Sequence, residues 1–174
     1  MGQRPVRVSL LGLGVVGTGV ATALHDRGDL LADRAGGPID LRHVLVRDPS
    51  KARSVELAKG VLTTDPTAAI EDPEVDIVVE VMGGEEPARS YLERALRAGK
   101  HVVTANKEVI AKHGQALVVA ARAAGRVIRY EASVGGGIPL IEPFKRDLRA
   151  NRLRSIHAII NGTTNYILTQ MATS

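Results

Sequence analysis

The 174-residue chain contains no cysteine and no tryptophan, and its aromatic side chains amount to one Phe and three Tyr. The absence of cysteine excludes disulfide bonds and any cysteine-ligated zinc or iron–sulfur site. Because only 2% of the residues are aromatic, the core has to be built from Val, Leu, Ile and Ala. A chain of this length can bury such a core in one domain, with a fragment of a second.

Long uninterrupted apolar runs are also absent. The first apolar stretch, Val6 to Val20, is broken by glycines and falls short of the roughly 20 residues that span a bilayer. The same glycines interrupt what would be the apolar region of a secretory signal. We therefore predict no membrane partner and a cytoplasmic location.

The charge is only moderately one-sided, with 23 Lys and Arg against 19 Asp and Glu and a net charge of +4. The densest basic stretch, residues 145–154, contains Asp147, and aromatic residues for base stacking are almost absent. These features differ from the basic, aromatic surfaces that bind nucleic acids, so we predict no nucleic-acid partner.

Strands and helices alternate along most of the chain. Apolar runs bounded by turn residues predict strands at 4–11, 41–46, 61–62, 75–81, 101–104 and 127–130. Helical spacing predicts helices at 18–31, 51–59, after Asp65, at 87–98 and at 108–124. This order predicts a doubly wound α/β fold, in which helices cover both faces of a parallel sheet.

The pattern changes after Pro139. A helix is predicted at 141–148, a strand at 155–160, and a polar turn at 161–165 before a helix that opens at Tyr166. We therefore divide the chain into a Rossmann domain at 1–138 and the beginning of a second, α+β domain at 139–174.

A glycine-rich loop joins the first predicted strand to the first predicted helix. Its sequence, Gly12-Leu13-Gly14-Val15-Val16-Gly17, has the G-x-G-x-x-G spacing of dinucleotide-binding loops. In such loops the first glycine permits a tight turn, the second admits the pyrophosphate, and the third lets helix and strand pack closely. The alternative is a glycine-rich turn without a ligand.

The end of the second predicted strand bears on the choice between NAD and NADP. An acid at this position binds the ribose 2′-hydroxyl of NAD, whereas a basic group accommodates the 2′-phosphate of NADP. Here Asp48 follows Arg47, with Lys51 and Arg53 nearby. We expect NADP and leave NAD open, because the same residues also suit a turn followed by a solvated basic helix.

Four segments that follow predicted strands carry polar or glycine-rich motifs: Met82–Gly84, Thr104–Lys107, Glu131–Pro139 and Asn161–Tyr166. Together with the glycine loop, three segments closely resemble the homoserine dehydrogenase family. They are Asn-Lys-Glu at 106–108, Glu-Ala-Ser-Val-Gly-Gly-Gly-Ile-Pro at 131–139 and Asn-Gly-Thr-Thr-Asn-Tyr-Ile-Leu at 161–168. The resemblance extends over essentially the whole chain. It implies interconversion of L-homoserine and L-aspartate 4-semialdehyde with NAD(P), a step toward threonine, methionine and isoleucine.

The same resemblance assigns roles to individual residues. It implies that the dinucleotide contacts Leu13, Val15 and Val16, and that its ribose and nicotinamide lie near Gly83, Thr104, Ala105 and Lys107. Lys107 is the catalytic candidate, since an ammonium group there would orient the substrate or relay a proton. The alternative is a solvated lysine at a helix start.

A monovalent-cation site, for Na⁺ or K⁺, is also implied by the resemblance. Its ligands would be Glu131 and the backbone carbonyls of Val134, Gly136 and Ile138, which are hard oxygen donors. The alternative is a glycine-rich hinge in which Glu131 binds loop amides. Likewise, Asn161 to Tyr166 either shape the substrate pocket or form a turn with a helix cap.

The resemblance implies a further segment beyond Ser174, which carries an acidic pair that holds homoserine and a second lysine that donates a proton. We therefore expect this chain to be the nucleotide-binding part plus the start of a catalytic and dimerising domain. It should bind the cofactor with little or no turnover and form a homodimer when complete. A non-catalytic NAD(P)-binding module and a related amino-acid or semialdehyde dehydrogenase are the alternatives.

Overall fold

A computed structural model describes residues 4–159 and 162–173. Its centre is one parallel sheet of six strands in the order β3-β2-β1-β4-β5-β6. This order confirms the predicted doubly wound fold. The strands are β1 Val6–Leu11, β2 Ile39–Leu45, β3 Leu62–Thr63, β4 Ile77–Glu80, β5 His101–Thr104 and β6 Ile128–Arg129.

Two of the helices begin at residues whose side chains cap them. Asp65 accepts a hydrogen bond from the Thr67 N–H, and Asn106 accepts one from the Val109 N–H, each at a helix start. Such side-chain caps satisfy donors that have no partner within the helix. The helices are α1 Val15–Asp26, α2 Gly28–Ala35, α3 Pro66–Glu71, α4 Ala88–Arg97, α5 Lys107–Ala123 and α6 Gly162–Thr173. A 3₁₀ turn spans Glu131–Ser133, and a π-helix spans Pro143–Asp147.

The core is aliphatic and lies on both faces of the sheet. Successive residues of β1 point to opposite faces, as the period of a strand requires. Leu11 packs in the cluster that contains Leu92 of α4 and Leu117 of α5, whereas Leu10 packs with Ala21 of α1. The side chains of Leu10, Leu11, Leu92 and Leu117 are all buried, so both faces of the sheet are covered.

The topology places an open crevice between β1 and β4. The chain moves outward from β1 through β2 to β3 and then crosses the sheet to β4, which lies on the other side of β1. The last residues of the two strands, Leu11 and Glu80, face each other in the parallel register. The loops that follow them therefore leave in opposite directions and open a crevice. Doubly wound proteins bind their ligands in a crevice of this kind.

Two predicted helices in the first half of the chain differ from the structure. Residues 51–59 contain no helix, and this prediction was wrong. The Arg53 guanidinium donates to the carbonyl oxygens of Asp48 and Lys51 (2.6 Å each), so a side chain satisfies the carbonyls of this irregular loop. The helix predicted at 18–31 begins earlier, at Val15, and is divided at Arg27 into α1 and α2.

The second predicted domain also differs in detail. No strand forms within residues 155–159, which pair with no sheet edge; Ile160 lies outside the described residues. The predicted turn at 161–165 is helical from Gly162 onward, and Asn161 lies outside the described residues. The helix predicted at 141–148 is present at residues 141–147, and from Pro143 to Asp147 it is a π-helix. Among the described helices, none has the length and apolar character required to cross a bilayer.

The close packing of α1 on β1 gives a stability test. A Cβ on Gly17 would lie 2.2 Å from the carbonyl oxygen of Gly12, whereas a Cβ on Gly19 would have no atom within 4 Å. We expect Gly17→Ala to lower the free energy of unfolding by about 1–3 kcal/mol, because strand and helix must separate. Gly19→Ala should raise it by up to about 1 kcal/mol through helix propensity. Urea unfolding followed by circular dichroism measures both, and equal stabilities would contradict the packing.

Candidate functional site

A cleft of about 720 Å³ lies at the carboxyl ends of the strands. This volume is typical of pockets for small organic ligands and cofactors. Its walls are the loops after β1, β2 and β4 and the start of α4. The lining includes Gly12, Leu13, Gly14, Arg47, Asp48, Lys51, Arg53, Met82, Gly83, Glu86, Pro87 and Tyr91. Five residues proposed from the sequence as cofactor contacts therefore meet here: Gly12, Leu13, Gly14, Arg47 and Gly83.

The glycine loop is shaped by two different constraints. Gly12 has φ +100, and a Cβ on it would lie 3.0 Å from Cγ of Met82. Gly14 has φ −84, and a Cβ on it would meet no atom within 4 Å. The fold therefore requires glycine at position 12 but not at position 14. The second glycine leaves space in the cleft that a ligand would fill.

The N-terminus of α1 opens beside this loop. Its N-cap, Gly14, provides no side-chain hydrogen bond, and its first turn contains no acidic residue. The first N–H groups of a helix lack partners within the helix and carry a partial positive charge, so this end suits an anion such as a phosphate. Val15 is 94% exposed and Val16 is also exposed, which leaves both side chains available for contact although they do not line the cleft.

The loop after β2 carries charged residues of two kinds, those that hold the loop in shape and those whose side chains bond to no other described residue. Asp48 accepts hydrogen bonds from the N–H (2.9 Å) and the hydroxyl (2.6 Å) of Ser50. The side-chain bond is the main cause that lowers the pKa of Asp48 below its usual value. Asp48 and Arg53 hold this loop in shape. The side chains of Arg47 and Lys51 also line the cleft, and within residues 4–159 and 162–173 neither forms a hydrogen bond or ion pair.

The loops after β4 and β5 lie side by side on the other half of the sheet. Gly83 and Gly84 have φ +75 and +74, a left-handed turn that favours glycine. Thr104 is 0% exposed, so it supports the neighbouring loop and presents no surface to a ligand. Ala105 is half-buried, and Lys107 is exposed at the first residue of α5.

Lys107 has no structural partner in the described part of the chain, where its side chain forms neither a hydrogen bond nor an ion pair. A cation at a helix N-terminus is disfavoured by the helix dipole. The fold therefore does not account for a lysine at this position. Neither Lys107 nor Ala105 lines the cleft described above.

A buried carboxylate beneath the two loops was missed by the sequence analysis. Glu80, the last residue of β4, is 0% exposed. It accepts hydrogen bonds from the Met82 N–H (2.8 Å) and the Thr104 hydroxyl (2.6 Å). The available signal was an acidic residue in the otherwise apolar run Ile77-Val78-Val79-Glu80-Val81. Met82, in the Met82–Gly84 segment selected from the sequence, lines the cleft, whereas Pro87 and Tyr91 were missed because their side chains belong to no motif.

An exposed ion cluster ties the loop after β4 to α5. Glu85 accepts hydrogen bonds from Lys112 Nζ (2.5 Å) and pairs with His113 Nε2 (2.7 Å). The bond from Lys112 and then that from His113 lower the pKa of Glu85 to about 2. The carboxylate is therefore ionised at neutral pH and keeps the loop docked on the helix.

Glu131 lies at the start of the second domain proposed from the sequence. Its carboxylate accepts hydrogen bonds from the N–H groups of Leu140, Ile141 (2.9 Å) and Glu142 (2.8 Å). Although burial alone would raise the pKa of Glu131, these backbone bonds lower it below its usual value. The carboxylate thus makes the loop-amide contacts that we considered as the alternative to a cation site.

The carbonyls proposed as cation ligands lie in the loop between Glu131 and Leu140. Gly135 and Gly136 have φ +73 and +61, and Ile138 is exposed. In the described ranges the carbonyl oxygens of Val134, Gly136 and Ile138 accept no backbone hydrogen bond. No group of three or more His, Asp or Glu side chains in these ranges could hold a metal ion. Any cation here would therefore depend on backbone carbonyls.

Comparison with known proteins places this geometry in a family. The family model described as "Homoserine dehydrogenase, NAD binding domain" matches residues 12–131, and the model described as "Homoserine dehydrogenase" matches residues 139–174. The chain is 47% identical to homoserine dehydrogenase of Bacillus subtilis (strain 168), over 97% of this chain and 39% of that protein. Against homoserine dehydrogenase of Synechocystis the identity is 49%, over 95% of this chain and 38% of that protein.

A solved structure is also similar. The crystal structure of a homoserine dehydrogenase from Thiobacillus denitrificans has a TM-score of 0.91 and 46% identity, over 99% of this chain and 40% of that chain. This chain therefore spans about two fifths of the length of the relatives that it matches. The NAD-binding model alone matches more than half of the 174 residues, and the chain belongs to the homoserine dehydrogenase family.

Proposed function

We propose that this chain forms the dinucleotide-binding part of an enzyme that interconverts L-homoserine and L-aspartate 4-semialdehyde. The observation that carries the proposal is the uncapped N-terminus of α1, which opens beside a Gly14 whose space nothing in the fold fills. A pyrophosphate at this point would be held by backbone N–H groups and the helix dipole. When bound, the nicotinamide dinucleotide supplies or accepts the hydride.

Gly14 provides the direct test of cofactor binding. We expect Gly14→Val to weaken NADPH binding by at least about tenfold, because the side chain occupies the space of the pyrophosphate. The free energy of unfolding should remain close to that of the unmodified chain, since a Cβ at position 14 meets no atom. Calorimetric titration and urea unfolding measure the two quantities.

Gly19→Val is the matched control, because Gly19 lies on the same helix with equally open surroundings. It should bind NADPH like the unmodified chain. If Gly14→Val binds NADPH as well as Gly19→Val does, the glycine loop is not the pyrophosphate site.

We further propose that NADP is preferred to NAD. The side chains of Arg47 and Lys51 line the cleft without a protein partner among the described residues, whereas Asp48 is engaged with Ser50. Two cations at the end of β2 suit the 2′-phosphate that distinguishes NADP, since charge-assisted bonds to phosphate are strong. Arg53 is a loop-holding residue in this proposal, because its guanidinium bonds to backbone carbonyls.

Removal of the two cations tests the preference. We expect the double variant Arg47→Ala, Lys51→Ala to lose about tenfold or more in affinity for NADPH, as expected for lost charged hydrogen bonds. Affinity for NADH should change by less than about twofold, since NADH lacks the 2′-phosphate. The double variant Arg34→Ala, Arg122→Ala, which removes two exposed cations in the last turns of α2 and α5, controls for net charge. Equal losses for NADPH and NADH would contradict the proposal.

We propose that Lys107 is the catalytic residue that acts on the substrate. Its exposed ammonium group has no partner in the described ranges, and it begins α5 at the carboxyl end of the sheet. From there it would orient the substrate or relay the proton that accompanies hydride transfer. The substrate and the turnover belong to the longer protein, so we expect this chain by itself to bind the cofactor with little turnover.

Two variants separate the roles open to Lys107. In a protein that carries this chain together with the remaining length of its relatives, Lys107→Met should lower kcat by about 10² with NADPH affinity unchanged. Lys107→Arg retains a charge but not a transferable proton. Recovery of kcat in Lys107→Arg indicates substrate orientation, and no recovery indicates proton relay. Full activity of Lys107→Met would contradict the assignment.

The second domain is proposed at 139–174, following the Rossmann domain at 1–138. Several apolar side chains of α6 are exposed, including Tyr166, Ile167, Leu168 and Met171. Apolar surface of this kind is usually covered by further protein. It supports the proposal that α6 belongs to a catalytic and dimerising domain of a cytoplasmic homodimer that acts toward threonine, methionine and isoleucine.

We also propose a Na⁺ or K⁺ site at Glu131 with the carbonyls of Val134, Gly136 and Ile138. The donor set fits, because all are hard oxygens and three backbone bonds leave Glu131 one of its roughly four acceptor positions. The ion would fix the loop that joins the two proposed domains. A bound ion stabilises the folded state by mass action.

Exchange of the salt tests this site. The melting temperature of the chain should be higher in NaCl or KCl than in choline chloride of equal ionic strength, and Glu131→Gln should abolish the difference. Glu142→Gln, which removes a neighbouring carboxylate that pairs with Arg129, serves as the control. Identical melting temperatures in all three salts would contradict the site.

A further inference from the structure

Glu80 is a buried acid with no opposite charge beside it. It ends β4, has no exposed surface, and forms no ion pair in the described part of the chain. Burial of a carboxyl group is costly unless hydrogen bonds satisfy its oxygens. The bonds that Glu80 makes lead directly into the dinucleotide site, and the function proposed above does not use them.

The hydrogen bonds of Glu80 form a closed ring between two loops. One carboxylate oxygen of Glu80 accepts a hydrogen bond from the N–H of Met82 (2.8 Å), and the other accepts one from the hydroxyl of Thr104 (2.6 Å). The Thr104 oxygen accepts from the N–H of Asn106 (3.0 Å), and the Asn106 amide donates to the carbonyl oxygen of Gly84 (2.7 Å). The ring therefore returns to the loop in which it began.

The two loops connected by the ring serve the second half of the sheet. Doubly wound dinucleotide sites consist of two mononucleotide-binding halves, the first of which carries the glycine loop and the acidic or basic residue at the end of β2. Here those features follow β1 and β2, which leaves the loops after β4 and β5 for the nicotinamide mononucleotide. The same ring places Asn106, whose side chain caps α5 directly before Lys107.

We propose that Glu80 is a positioning residue for the nicotinamide half of the cofactor, which it serves by holding the loops at Met82–Gly84 and Thr104–Asn106 in one arrangement. This inference depends on the dinucleotide function proposed above. It is separate from the glycine loop and Arg47, which serve the adenosine half.

The physical reason is the conformational freedom of the loop after β4. Gly83 and Gly84 both have left-handed backbone angles, and a Cβ on Gly83 would meet no atom within 4 Å. Glycines in open surroundings allow many backbone conformations. The ring removes this freedom before the ligand arrives, so binding does not have to order the loop.

Thr104→Val is the first test, because it removes the hydroxyl with little change of shape. It leaves one oxygen of Glu80 and the N–H of Asn106 without their partner. We expect NADPH affinity of the 174-residue chain to fall about tenfold, the order of one unsatisfied buried group. Affinity for adenosine 2′,5′-bisphosphate, which contains only the adenosine half, should stay within about twofold. Calorimetric titration measures both ligands under conditions in which circular dichroism shows a folded variant.

Three further variants make the result specific. Thr104→Ser keeps the hydroxyl and should restore most of the NADPH affinity lost in Thr104→Val. Glu80→Gln cannot accept hydrogen bonds from both Met82 and Thr104, so it should also lose affinity for NADPH and keep its affinity for adenosine 2′,5′-bisphosphate. If Thr104→Val does not fold, the result for Glu80→Gln decides the question. Ser9→Ala removes another buried hydroxyl, on β1, which has no hydrogen-bond partner among the described residues, and should bind both ligands normally.

The possible failures are distinguishable. If the unmodified chain binds neither NADPH nor adenosine 2′,5′-bisphosphate, the dinucleotide function itself is wrong. If the unmodified chain binds both ligands, but Thr104→Val and Glu80→Gln lose neither or lose both equally, the positioning role is wrong and Glu80 only stabilises the fold.

Discussion

The contact between the glycine loop and the end of β4 is the constraint on which the site depends. The Gly12 N–H bonds to the Leu45 carbonyl oxygen and the Val81 N–H bonds to the Leu11 carbonyl oxygen, both at 3.0 Å. These two bonds fix the strand ends on either side of the crevice. With Gly12 against Met82 and Gly17 against the Gly12 carbonyl, no side chain larger than hydrogen fits, so α1 begins at the mouth of the crevice.

From this contact the carboxyl end of the sheet divides into two halves of different electrostatic character. On the side of β2, Arg47 and Lys51 present cations without protein partners among the described residues. On the side of β4 and β5, a buried carboxylate organises backbone N–H and hydroxyl donors beneath glycine-rich loops. In the proposed function, the first half binds a phosphate group through its charge, and the second half holds the nicotinamide through its shape. In the proposed function, both halves together orient the cofactor toward a substrate.

Much of the fold could be predicted because it is encoded locally. The alternation of buried strands with helices predicts the parallel sheet, and the G-x-G-x-x-G spacing predicts the turn at Gly12. The predicted helix at 51–59 failed because the Arg53 side chain satisfies loop carbonyls, a tertiary feature with no periodic signal. The predicted strand at 155–160 failed because a strand also needs an edge to pair with.

The site could be predicted only where motifs carry it. Arg47 and Gly83 follow strand ends, and the structure places both in the cleft. The ring through Glu80, Thr104 and Asn106 links residues more than twenty positions apart, and only the parallel pairing of β4 with β5 brings them together. Thr104, which the sequence analysis predicted to lie near the cofactor, is fully buried, and its hydroxyl donates to Glu80 rather than facing the cleft.

The central claim is that the carboxyl end of the sheet has two halves that bind different parts of the cofactor, and ligand-induced shifts of backbone amide NMR signals test it most directly. Adenosine 2′,5′-bisphosphate should shift the amides of residues 12–17 and 47–53 and leave those of 82–84 and 105–107 in place. NADPH should shift both sets. Shifts confined to residues away from these loops, or the same set of shifts with both ligands, would contradict the account.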